Sequence, residues 1–158
     1  ALNFVAPETD KGDFLDLDVF GLTNLSMFEV FSTTDESWIT LNQRGVGYTF
    51  IGDEDSTNTS IVAQFGGPSL HVNSSLIDTS AGTTRDDIYN AIVGSQKVIS
   101  TVGATTATWT DSKWSGFANS GDRWDFDGKL QELIVYDSDK ASDRSEIEEN
   151  INEYYEVY

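Results

Sequence analysis

Carboxylates dominate the chemistry this sequence could carry, and they fall in clusters: Asp10, Asp13, Asp16 and Asp18; Asp53, Glu54 and Asp55; Asp86 and Asp87; Asp122, Asp125 and Asp127. Acids in polar loops are what calcium uses, since it collects several oxygens from carboxylates, carbonyls and amides. Asp53, Asp55, Asp122 and Asp125 are the preferred metal ligands, and calcium is the cofactor such a site would take. Asp125-Phe126-Asp127-Gly128 opens like an EF-hand loop, but Tyr136 stands where the bidentate Glu belongs. These are therefore not EF-hands. With 27 acids in 158 residues, clusters also arise by chance, and a solvated acidic rim is the plainer reading.

Aromatic residues supply the second kind of chemistry. A pyranose ring stacks its apolar face on Trp or Tyr while amides, carboxylates and Arg hold its hydroxyls. Trp109 and Trp114 lie in a stretch dense with Ser, Gly, Asn and Asp, and Arg123 follows it. Trp38 sits opposite in phase to Ile39 and Leu41. These four, Trp38, Trp109, Trp114 and Arg123, are the candidate ligand contacts. Against them stands the ordinary use of Trp as filler between sheets, which fits Trp124 best. The single histidine, His71, lies between Leu70 and Val72 and so points away from the face those two bury. A solvated or weakly hydrogen-bonded strand histidine is expected there. There is no cysteine, so thiolate chemistry, disulfides and Cys-bound zinc are absent. No Gly-x-Ser-x-Gly elbow accompanies His71. Gly66-Gly67-Pro68 is a turn, without the Lys-Ser/Thr of a phosphate loop.

Nine Lys and Arg against 27 Asp and Glu give a formal charge of −18. Such a surface repels phosphate, which argues against nucleic acid as a partner and against anionic membranes. No apolar run is long enough to span a bilayer. An aromatic content of 12% argues against disorder, because acidic disordered chains lack aromatics. The length suits one domain over residues 1–158, and the Ala at position 1 suggests a piece of a longer protein.

Short alternating runs punctuated by Gly, Asn, Ser and Asp predict strands at 13–17, 26–33, 37–43, 47–52, 60–65, 69–73, 89–93, 97–102, 104–110 and 129–136. Residues 52–59 and 74–87 read as loops. Leu130, Ile134 and Tyr136 fall on one face with Glu132. Period-two patterning of this kind implies an antiparallel sandwich or barrel. The end differs: Ile147, Ile151, Tyr154 and Tyr155 follow helical spacing, with Glu148, Glu149 and Glu153 on the solvated side. Asp143 and Glu146 have the spacing of a capping box.

The segment from Trp124 to Tyr136, with Gly128, Glu132 and the run ending in Tyr136, then Arg144, Glu146-Ile147-Glu148 and Asn150-Ile151-Asn152, resembles the ending of concanavalin A-like (laminin G-like) domains. Phe14-Leu15-Asp16-Leu17 and Leu25–Val30 resemble their first strands, and Leu70-His71-Val72-Asn73 their strand turn, with Ser74 where Gly is commoner. The ending is most similar to domains of phage virion proteins and marine bacterial surface proteins. The resemblance implies an all-β fold: a two-sheet antiparallel jelly-roll sandwich with one short C-terminal helix. It also implies binding to carbohydrate or protein, and in some members glycoside hydrolysis. Hydrolytic members carry Glu, Asp and Glu on alternate positions of one strand. No such triplet occurs here: Glu132 and Asp137 are an odd number of residues apart and face opposite ways.

The expectation is a non-catalytic recognition module outside the cell or on a virion surface. Its partner would be a glycan or a neighbouring virion or surface protein, in a multivalent assembly, with no nucleic acid and no membrane insertion. The rival is a structural or decoration domain of a phage capsid or tail with no glycan ligand. An exposed Trp or Tyr in a concave site would favour the first.

Overall fold

The computed structural model describes residues 1–4, 15–16, 24–34, 38–41, 50–61, 68–79, 82–104, 113–114 and 127–158. The strands are β1 (Leu2–Phe4), β2 (Leu15–Asp16), β3 (Leu25–Thr33), β4 (Trp38–Leu41), β5 (Phe50–Asp53), β6 (Ser69–Val72), β7 (Ser75–Ile77), β8 (Lys97–Ala104), β9 (Lys113–Trp114) and β10 (Gly128–Tyr136). The helices are α1 (Arg85–Ile92) and α2 (Arg144–Tyr155). Six strands form one antiparallel sheet in the order β1-β10-β3-β8-β6-β7, while β2–β9 and β4–β5 pair separately. The described residues are thus mostly antiparallel sheet with two helices, one more than the sequence suggests. No helix among the described residues is long and apolar enough to cross a membrane.

Both faces of the sheet are covered, which is why β3 is buried along nearly its whole length. Leu25, Met27, Phe31, Leu70, Val72, Ile99 and Leu130 share one cluster with Phe50 of β5 and Ile88, Tyr89 and Ile92 of α1. Phe28, Val30, Val98 and Val102 form the opposite cluster with Ile151, and Ile134, Tyr136, Ile147 and Tyr155 pack against it. Each face therefore has its own apolar layer, one closed by α1 and the other by α2.

Several expectations need correction. The stretch 89–93 belongs largely to α1 rather than to a strand, because Thr84 and Asp87 form a reciprocal capping box that starts a helix at Arg85. Ile88, Tyr89 and Ile92 then share its buried side. The supposed loop 74–87 contains β7 and the first turn of α1, and β1 and β9 are additional strands. Leu130 does not share a face with Ile134 and Tyr136. A bulge between Leu130 and Glu132 shifts the register, so Leu130 turns toward the α1 layer. The strand expected at 60–65 lies outside the described residues beyond Ile61, and that at 104–110 beyond Ala104.

Gly52 sets the approach of α1 to β5. A Cβ built on it would lie 2.9 Å from both the Cα and the N of Tyr89, which are backbone atoms with no room to yield. Gly52→Ala should therefore push α1 away and cost about 1–3 kcal/mol, read as a lower urea midpoint. An unchanged midpoint would mean that α1 is not seated on β5.

Candidate functional site

The site is built where α2 crosses the sheet. A helix advances about 100° per residue, so Arg144, Glu148, Ile151 and Tyr155 share its inward side. Lys140 anchors the approach, its backbone N–H donating to Ser26 Oγ at 2.9 Å. Asp143 occupies the N-cap position but makes no side-chain cap bond. Its carboxylate accepts instead from Lys140 Nζ at 3.0 Å and Ser142 Oγ at 3.0 Å, contacts that hold its pKa below the ordinary value. The capping box expected from Asp143 and Glu146 is therefore not formed.

Glu148 also departs from expectation. It is 1% exposed, not solvated. Ser100 Oγ of β8 donates to its Oε1, Arg144 Nη1 to its Oε2, and Ser74 Oγ to the same Oε2 at 2.8 Å. Ser74 Oγ also meets the Tyr158 hydroxyl at 2.7 Å. Ser74 lies in the two-residue turn between β6 and β7, where Asn73 and Ser74 both have positive φ, 48° and 63°. A serine in that conformation is strained by roughly 1–2 kcal/mol relative to glycine. Its hydroxyl on Glu148 explains why glycine does not stand here.

His71 pairs across the ladder with Ser100 and Leu76. It does point away from the face of Leu70 and Val72, but α2 covers the side it turns to. It is 8% exposed, and its Nδ1 meets no hydrogen-bond partner among the described residues. Burial lowers its pKa from the ordinary 6.5 and Arg144 lowers it further, against an opposing pull from Glu148. The neutral imidazole thus belongs to the folded state. Stability should be full above about pH 6.5, then fall as pH drops through the lower folded value. Urea midpoints between pH 7.5 and 5 check this, and His71→Gln should flatten the slope in that window.

Pinned this way, α2 leaves a groove along its outer flank beside β10. β1 pairs with Gly128, Lys129 and Leu130, and among the described residues no strand pairs with the far half of β10 on that side. One lobe of about 530 Å³ is lined by Glu132, Ile134, Asn150, Ile151, Glu153, Tyr154 and Tyr155. A second of about 400 Å³ adds Tyr136, Lys140, Asp143, Glu146 and Ile147, and shares Ile134, Asn150 and Ile151 with the first. The floor is apolar and aromatic. Tyr136 stacks edge-on against Phe28, centroids 5.9 Å apart, with Lys140 Nζ 5.4 Å above its ring. Tyr154 packs edge-on against Tyr155 at 4.8 Å, yet it is 80% exposed. Sequence spacing places Tyr154 on the buried stripe; because Arg144 and Glu148 shift that stripe around the helix, Tyr154 falls on the groove's rim. Tyr155 hydrogen-bonds Glu132, and burial, with the Glu132 charge and Tyr154, pushes its hydroxyl pKa up.

Of the residues singled out from the sequence, those that are described lie on other elements. Trp38 lies on β4, opposite Asp53 of β5, and Trp114 lies on β9 opposite Leu15. Trp109 and Arg123 lie outside the described residues. Asp53 ends β5, and Asp55 follows it in a turn with φ of 59°. The Asp55 backbone N–H donates to Asp86 at 2.9 Å, tying that turn to the start of α1. Asp122 and Asp125, the other two proposed calcium ligands, lie outside the described residues. The aromatic groove itself was missed. The signal available for it was the Tyr154-Tyr155 pair, only one of which a helix can bury.

The chain matches no protein-family model, no curated protein and no solved structure.

Proposed function

We propose that this chain is a non-catalytic recognition module that binds carbohydrate through the α2–β10 groove. The observation that carries the reading is Tyr154: a large aromatic ring left 80% exposed at the lip of a concave site. Around it stand the partners that sugar hydroxyls need, the Asn150 amide and the carboxylates of Glu132 and Glu153, over a floor of Ile134, Ile151 and Tyr155. An aromatic platform with a few convergent polar groups is the usual construction of a pocket for a small polar-faced ligand. The same proposal includes a jelly-roll architecture, with the six-stranded sheet as one layer and the β4–β5 hairpin, stacked on its α1 side through Phe50, as part of the other. It places the module outside the cell or on a virion, where repeated weak sites gain avidity.

A glycan array followed by calorimetry tests the reading. The chain should bind a defined set of oligosaccharides, and Tyr154→Ala should weaken the best of them about tenfold or more. Because the ring is exposed, its loss should leave the melting temperature unchanged. An empty array, or full affinity in the variant, would sink the proposal and favour a purely structural domain.

A further inference from the structure

We infer that the groove selects oligosaccharides bearing free amino groups, an inference that rests on the carbohydrate reading above. Among the described residues, four carboxylates line its two lobes, Glu132, Asp143, Glu146 and Glu153, and one ammonium, Lys140. That ammonium is already committed to Asp143 and to the face of Tyr136. Glu132 is held by Tyr155. Glu146 and Glu153 remain at the exposed edge of the helix, on either side of Asn150. Seven residues separate them, a rise of about 10 Å, on the order of two linked pyranose rings.

Any ligand seated across this flank strips water from those carboxylates. A neutral sugar offers them only hydroxyls, and an acidic sugar adds repulsion on a chain that already carries −18. An unacetylated amino sugar keeps the apolar ring face for Tyr154 and supplies an ammonium to each carboxylate. A lysine-rich peptide carries the same charge, but on long stems whose ordering is costly. In the amino sugar the charge is fixed to the ring that stacks.

The test is a calorimetric titration of the native chain with four probes: glucosamine tetramer, N-acetylglucosamine tetramer, glucose tetramer and tetralysine. Measurements are made at a pH where the sugar amines are charged. The glucosamine tetramer should bind at least tenfold more tightly than its acetylated form, with the margin shrinking as salt is raised. Glu146→Gln/Glu153→Gln should bring its affinity down to that of the glucose tetramer. Equal affinity for the three sugars would overturn the amine selectivity and leave the carbohydrate reading standing. Tighter binding of tetralysine than of the glucosamine tetramer would overturn the selectivity in favour of a peptide. Failure to bind any sugar would overturn both.

Discussion

Replacing Glu148 with alanine should cost about 3–5 kcal/mol, because it removes the shared acceptor of a buried network and strands a charge. Ser100 would keep a fully buried hydroxyl without its carboxylate, and Arg144 a largely buried guanidinium without its counter-charge. The loss should appear as a lower urea midpoint and as faster amide exchange across Arg144–Tyr155. It should also weaken glycan binding, since Asn150 and Tyr154 ride on the same helix. The pair Arg144→Met/Glu148→Leu provides the contrast. Replacing a buried ion pair by apolar residues of similar size is often neutral, so the double variant should recover the part of the loss that comes from stranding Arg144. A loss below about 1 kcal/mol in Glu148→Ala would show that the carboxylate does not pin the helix.

Phe28→Ala should be comparably severe, at about 3–5 kcal/mol for deletion of a fully buried ring. Phe28 is 0% exposed in the middle of β3, opposite Ser100 on one side and Ile134 on the other. It is also the ring against which Tyr136 stands edge-on at 88°. Removing it opens a void beneath α2 and frees the floor of the groove, so sugar affinity should fall together with the unfolding midpoint. Phe28→Leu should lose less than alanine does, because a smaller void remains. If Phe28→Ala unfolds at the same urea concentration as the native chain, α2 is not packed on that face.

Much of the sheet was legible because its inward residues alternate. Leu70 and Val72 face one way and His71 the other, as the spacing requires, and β3 and β10 follow their apolar runs. The terminal helix was legible from Ile147 and Ile151. Helix α1 was not, because a short apolar run such as 88–93 reads alike as strand or helix. The deciding signal was local: Thr84 and Asp87 stand three apart and close a cap. Glu148 was illegible for a different reason. On a helix its charge argues for solvent, and burial becomes tolerable only when Ser100 of β8 and Ser74 of the β6–β7 turn join Arg144, one turn away on the same helix. The groove shared that fate. It is made by the flank of α2 and the half of β10 that lies beyond β1, two features that no local pattern specifies.

The position of β10 has a consequence for biogenesis. It is hydrogen-bonded between β1 and β3, both about a hundred residues or more earlier in sequence, with Leu2 and Phe31 flanking Leu130. During synthesis the growing polypeptide must hold β3 with one side open until residues 128–136 leave the ribosome. Pairings this distant in sequence form slowly. Throughout that wait Met27, Phe28 and Phe31 are missing a neighbour, so the nascent chain stays aggregation-prone until β10 has emerged.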